Sequence, residues 1–148
     1  MKILLASDHA GYDHKKALNT HLLRQGYEVE DMGTDSAESC DYPDFIIPAA
    51  KQVAADPENT RAFIFGGSGQ GEAMAANRIK GVRATAYYHH DLEIIELSRS
   101  HNGANILSIG ARFITLEQME EAAEKWLSLN EPLAERHRRR VQKIDELS

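Results

Sequence analysis

The sequence predicts a three-layer α/β/α fold built on five parallel strands, and three observations predict it. Five short apolar runs alternate with segments of helical periodicity along the whole chain. Most of these runs end on glycine or a polar turn, as buried parallel strands do at their carboxyl ends. No internal repeat, linker or low-complexity tract interrupts the alternation, and 148 residues suit one domain with a substantial core. Right-handed crossovers then place helices on both faces of the sheet, with a strand order of 2-1-3-4-5 expected.

The elements follow in order. Lys2 to Ser7 reads as a buried strand closed by Asp8-His9-Ala10-Gly11. Lys15 to Gln25 carries Ala17, Leu18, Leu22 and Leu23 at helical spacing, with Gly26 as its C′ stop. Tyr27 to Asp31 is a short second strand, and Thr34 to Asp41 a polar loop. Pro43 and Pro48 fall early in a helix over Asp44 to Ala55, which stops before Asp56-Pro57. Arg61 to Phe65 is the third strand, followed by a glycine turn and a helix from about Gly71 to Asn77. Val82 to Tyr87 is the fourth strand and Asp91 to Ser100 a helix with an apolar face. Ile106 to Ile109 is the fifth strand, and Glu117 to Leu129 is amphipathic around Met119, Ala122, Ala123, Trp126 and Leu127. Pro132 suits the first turn of a last helix, over about 132–147, that includes the basic run Glu135 to Arg140.

Composition narrows the function. A formal charge of −6 argues against a general nucleic-acid binder. The single cysteine, Cys40, rules out an intramolecular disulfide and fits a reducing compartment. The amino terminus turns polar too early for a signal segment, and no apolar run approaches the roughly 20 residues of a membrane span. A cytoplasmic protein without membrane or nucleic-acid partners is the expectation.

The stretch Phe65-Gly66-Gly67-Ser68-Gly69-Gln70-Gly71-Glu72 carries the chemistry. Glycine costs conformational entropy, so four within six residues point to positive φ or to a ligand against bare backbone N–H groups. The pattern G-x-G-x-G after the third strand is neither a dinucleotide fingerprint nor a P-loop. An anion or oxyanion cradle fits it best; a tight structural turn and a mononucleotide or flavin site are the alternatives. Glu72, opening the next helix, is either an acid favoured by the helix dipole or a base beside a bound group. The dipole would lower its pKa unless desolvation offsets it. Asp8 and His9 leave the first strand together and can face the same crevice, or Asp8 can simply cap a helix. His101, at the end of the fourth helix, lies at the wrong edge for a site in its own subunit. It either satisfies that helix end or serves a neighbouring subunit. Arg136 and Arg140 share a helix face, which is either solvated or anion-binding, and Arg112 directly follows the fifth strand. Seven histidines include no zinc-type spacing, so no metal and no cofactor is expected.

These motifs, in this order, resemble the family of type B ribose-5-phosphate isomerases and galactose-6-phosphate isomerase subunits. The match runs through Ser7-Asp8-His9-Ala10-Gly11, Asp41-Tyr42-Pro43, Gly67-Ser68-Gly69-Gln70-Gly71, Ala75-Ala76-Asn77 and Gly81-Val82-Arg83-Ala84. It continues through Leu97-Ser98-Arg99-Ser100-His101-Asn102, Asn105-Ile106-Leu107, Gly110-Ala111-Arg112 and Arg136-His137-x-x-Arg140. The resemblance implies a Rossmann-like fold and a metal-free aldose–ketose isomerase working through a cis-enediolate. It assigns Asp8, His9, Tyr42 and Asn102 to the sugar phosphate and the Gly67–Gly71 turn to the enediolate oxygens. Asp8 and Ser68 join Glu72 and His101 as catalytic candidates, with His101 as the ring-opening acid. Phosphate falls to His9, Arg112, Arg136 and Arg140. It implies a homodimer with shared active sites, some paired into tetramers, the last helix reaching a partner subunit.

One departure is informative. Many members of that family carry a base cysteine where this chain has Gly66, and a subgroup has a glutamate where this chain has Glu72. This sequence resembles the second kind, so Glu72 is the expected base and Cys40, in another loop, is not. Ribose 5-phosphate is the expected substrate. A hexose 6-phosphate of allose or galactose type, or a non-catalytic phosphosugar- or nucleotide-binding module, are the alternatives.

Overall fold

The computed structural model describes residues 1–147 and has the expected three layers. Five parallel strands, β1 (Lys2–Ser7), β2 (Glu28–Asp31), β3 (Thr60–Gly66), β4 (Ala84–Tyr87) and β5 (Ile106–Gly110), form one sheet. Among the described residues six helices accompany them: α1 (Tyr12–Arg24), α2 (Pro43–Ala55), α3 (Gln70–Ala76), α4 (Leu92–Ser100), α5 (Leu116–Ser128) and α6 (Glu135–Asp145).

The strand order is β2-β1-β3-β5-β4, which corrects the expected 2-1-3-4-5. Burial explains the exchange. All five residues of β5 are buried, whereas only Tyr87 of β4 is, so the more apolar strand takes the inner place and Ala84-Thr85-Ala86 the edge. The chain reverses direction across the sheet between β1 and β3, and the crevice above their carboxyl ends is where open α/β sheets place ligands. Moving β5 inward also brings the residues after it, from Ala111 onward, against the glycine turn after β3.

Two hydrophobic layers hold the sheet. One joins Ile3, Leu5, Phe63, Phe65, Leu107 and Ile109 to Leu18 and Leu22 of α1 and Met119, Ala122 and Trp126 of α5. The other joins Leu4, Ala6, Ala62, Ile64 and Ile106 to Ile46, Ala49, Ala50 and Val53 of α2. Alternate strand residues thus serve opposite faces, as a doubly covered sheet requires. Phe63 and Trp126 meet edge-to-face with centroids 5.0 Å apart.

Helix ends account for most boundary differences. Gly26 has φ +88° just beyond α1, the left-handed stop expected there. Asp91 is the N-cap of α4 and Thr115 closes a capping box with Gln118 on α5. The helix α1 begins at Tyr12, a turn before the expected Lys15, because its first turn is polar and gives no periodic signal. Pro132 is not in a helix. The chain first passes Leu133 close to Gly103, and α6 starts at Glu135 after Ala134 as N-cap.

Candidate active site

The end of β1 sets the first carboxylate. The Asp8 N–H donates to the Phe65 carbonyl at 3.2 Å, and Asp8 Oδ1 accepts from the Gly11 N–H at 3.0 Å. That pair of bonds fixes the carboxyl over the crevice and leaves it only 8 % exposed. Close contact makes Gly11 necessary: a Cβ there would lie 2.4 Å from Phe65 Cβ. The next residue, His9, accepts from the Cys40 N–H through Nδ1 at 3.4 Å, so a neutral ring carries its proton on Nε2.

The end of β3 sets the second carboxylate. Gly69 sits at φ +78° and caps α3, while the Ser68 hydroxyl accepts from the Gln70 N–H at 3.3 Å. Ser108 Oγ donates to the Gly69 carbonyl at 2.5 Å, and the turn presses so closely on β5 that a Cβ at Gly110 would lie 2.6 Å from the Ser68 carbonyl oxygen. The N–H groups of Gly67, Ser68 and Gly69 take no backbone partner among the described residues, and so are free to donate to a bound oxyanion.

Glu72, in the first turn of α3, points back under this loop and is 4 % exposed. A Cβ at Gly66 would lie 2.0 Å from its Oε1 and 2.3 Å from its Oε2. The carboxyl of Glu72 therefore fills the space that any side chain at position 66 would take. Burial pushes its pKa up to about 7, opposed by its own backbone N–H and reinforced by the hydrogen bond and charge of Asp8. The sequence raised the helix dipole as a force in the other direction; desolvation outweighs it. Two carboxyls in contact, one tuned to near neutrality, make an acid–base pair.

Arg112 and Tyr42 form the rim. The Ala111 and Arg112 N–H groups donate to the Gly66 and Gly67 carbonyls at 2.8 and 3.0 Å, which anchors the β5 exit on the turn. The Arg112 guanidinium lies over Gly67, where a Cβ would be 3.0 Å from Nη1. The Tyr42 ring lies over Gly71, 2.9 Å from where a Cβ would be. One crevice thus gathers Asp8, His9, Tyr42, the Gly67–Gly71 turn with Ser68 and Gln70, Glu72 and Arg112.

His101, Asn102, Arg136 and Arg140 are not brought there by this chain. His101 ends α4, whose carboxyl end lies at the amino edge of the sheet. Its ring stacks on His137 of α6, centroids 4.1 Å apart and 19° from parallel. Asn102 lines a groove of about 310 Å³ with Asn77, Arg83, Thr85 and Ile144. Arg136 and Arg140 flank His137 on the same helix, and burial, then His101 and these two arginines, push the His137 pKa down. The sequence names His137 only within the Arg136-His137-x-x-Arg140 match and gives it no role. Its signal was helical spacing: it lies between two arginines on the helix that meets His101.

A doubly wound α/β domain with a buried carboxyl pair, bare N–H groups and a guanidinium at its switch point has the class of an acid–base enzyme site for an anionic ligand. Comparison with known proteins gives the family. The chain belongs to the ribose/galactose isomerase family, whose model matches residues 3–144. It is 35 % identical over 142 residues to ribose-5-phosphate isomerase B of Mycolicibacterium paratuberculosis, covering 95 % of this chain and 87 % of that one. The structure of Clostridium thermocellum ribose-5-phosphate isomerase B superposes with a TM-score of 0.91 at 39 % identity, over 99 % and 96 % of the two chains. That of the Mycoplasma genitalium enzyme, with bound ribulose 5-phosphate, gives 0.91 at 33 % identity over 97 % and 93 %.

Proposed function

We propose that the chain interconverts ribose 5-phosphate and ribulose 5-phosphate through a cis-enediolate, with Glu72 as the base. The observation that carries the reading is the Glu72 carboxyl itself: buried, adjacent to Asp8, near neutral in pKa, and occupying the side-chain space of position 66. Ribose-5-phosphate isomerase B relatives spanning nearly the whole chain, one of them with ribulose 5-phosphate bound, support the substrate.

The chemistry follows from the geometry. Ionised Glu72 removes the C2 proton of the open-chain aldose, and the C2–H electron pair moves into a C1–C2 double bond. Charge develops on O1, where the free N–H groups of the Gly67–Gly69 turn donate to it, with Ser68 beside them. Glu72 then returns the proton to C1 while the O2 proton passes to O1, so that C2=O forms and O1 becomes the hydroxyl of the ketose. No atom is gained or lost. A carboxylate suits the task because one group reaches both adjacent carbons. A pKa of about 7 leaves it ionised in a useful fraction of molecules yet basic enough to act. Asp8 and His9 orient the sugar hydroxyls at the entrance, with Tyr42 on the rim.

Arg112 holds the phosphate on the crevice side. His101, Asn102, Arg136 and Arg140 complete the site from a second copy of the chain, His101 protonating the ring oxygen as the sugar opens. Their shared location at the far edge of their own sheet supports donation across a homodimer, in which α6 reaches the partner.

Glu72→Gln tests the reading. Turnover of ribose 5-phosphate should fall by roughly 10²–10⁴-fold with KM little changed. Near-normal turnover would remove Glu72 from the mechanism. Running allose 6-phosphate and galactose 6-phosphate beside it tests the sugar independently of the base.

A further inference from the structure

The amino edge of the sheet, opposite the crevice, holds a second feature that isomerisation does not use. Arg61 is the second residue of β3, Arg83 directly precedes β4, and Arg99 lies in the last turn of α4. Each lies at least sixteen positions from the next in sequence, yet all three line one cleft of about 720 Å³. Arg61 is only 6 % exposed.

Their partners are neutral, with one exception. Arg61 donates to the Trp126 carbonyl at 3.4 Å and to Asn130 Oδ1 at 2.7 Å. Arg99 donates through Nε to the Leu129 carbonyl at 3.1 Å and through Nη1 to the Ala104 carbonyl at 2.6 Å. Only Arg83 has a carboxylate, Asp145 of α6, at 2.9 Å. Among the described residues neither Arg61 nor Arg99 forms an ion pair, although both flank the same Trp126 ring, 5.4 and 5.9 Å from its centroid. Burial, then the charges of Arg61 and Arg83, push the Arg99 pKa down to about 10. Glu58 and Glu131 also line the cleft but pair with neither Arg61 nor Arg99 among the described residues, so three guanidiniums, two of them without an ion pair, remain costly to assemble and attractive to an anion.

We infer that this cleft is a second anion site, one that takes a small multivalent oxyanion such as a phosphate or diphosphate group between Arg61, Arg83 and Arg99. Guanidinium forks suit such a group because each donates in pairs to adjacent oxygens. The inner amide wall comes from Asn105 and Asn130. Occupancy would reach beyond the cleft. Arg83 also donates to the Gly103 carbonyl at 3.1 Å, next to Asn102 and His101, and Leu133 leads into α6. The bound anion therefore braces both segments that carry the distal residues named above. The inference does not depend on the isomerase reading.

Trp126 is the only tryptophan, so its fluorescence reports on this cleft. Inorganic phosphate and pyrophosphate, titrated at constant ionic strength against chloride, should give a saturable change. Asn130→Asp places a carboxylate against Arg61 and should weaken binding at least tenfold; Arg61→Met, which keeps the apolar stem, should do the same if the first variant does not fold. Arg112→Ala, in the opposite crevice, should leave the titration unchanged. A response no different from chloride, one insensitive to both cleft variants, or one lost in Arg112→Ala would overturn the inference. So would fluorescence that changes with protein concentration and not with anion, which would assign the counter-charge to a carboxylate of a second copy.

Discussion

Replacing Glu72 by glutamine should make the protein more stable at neutral pH while removing its turnover. The carboxyl has a pKa of about 7 in the folded chain against 4.5 for the ordinary side chain. Below pH 4.5 both states hold the proton and Glu72 adds no pH dependence. Between 4.5 and 7 the unfolded chain releases the proton and the folded chain keeps it. Folded protein then binds more protons, and stability falls as pH rises, by about 1.4 kcal/mol per unit. Across the whole interval the loss approaches about 3 kcal/mol, and above pH 7 it stays constant. Glutamine carries no such liability, and its amide can donate to Asp8 in place of the carboxyl proton. Urea unfolding of wild type and Glu72→Gln at pH 4.5, 6, 7 and 8, at one protomer concentration, measures the difference. The variant should gain on the wild type steadily between the first two values and plateau between pH 7 and 8. A difference that is flat with pH, or that favours the wild type at pH 8, would refute the buried-acid account.

Two further substitutions probe the crevice and its completion. Gly66→Ala adds a Cβ 2.0 Å from Glu72 Oε1, so the carboxyl must leave its place; we expect a folded protein whose kcat falls at least tenfold, measured beside circular dichroism, and wild-type kcat would show that the carboxyl position is immaterial. Mixing Glu72→Gln chains with His101→Ala chains should restore activity, because a mixed dimer with shared sites contains one intact pair. Mixtures as inactive as the separate variants would place both residues in the same subunit's site.

The sheet was legible because its strands are apolar runs cut by glycine, and that pattern survives any packing. Strand order was not, since β4 and β5 differ as edge and centre only through side chains such as Ala84 and Thr85 that tolerate either place. Lys15 shows another limit. It reads as a surface residue, yet it is 1 % exposed because its Nζ reaches Asp31 at 2.6 Å, tying α1 to β2. The glycine turn was legible as a candidate cradle because glycine density has few structural explanations, whereas Glu72 was set apart from a dipole-favoured acid only by the family resemblance. The switch point accounts for the nearness of Asp8 to the glycine turn, but the contact of Asp8 with Glu72 is visible only in the side chains. The arginines at 61, 83 and 99 were invisible as a group. Each sits at an element end, and only the fold shows that those ends share one edge.

Gly66 and Glu72 are best understood as one decision. Position 66 ends a central strand, where β-propensity and burial would favour a side chain. Instead the strand ends bare, and the space goes to a carboxyl projecting from the next helix. Packing alone gives no reason to prefer this: a buried carboxyl raised to about 7 costs stability at neutral pH, whereas alanine at 66 with a small apolar residue at 72 would cost none. A chain that keeps the costly arrangement, and sets Asp8 beside it to raise the pKa further, retains it against the stability gradient. Such retained cost is the mark of a functional group. At the far edge Arg61 and Arg99 differ from this: their guanidiniums donate to the Trp126, Leu129 and Ala104 carbonyls, so part of their cost is met structurally, and the missing ion pair is what an anion would supply.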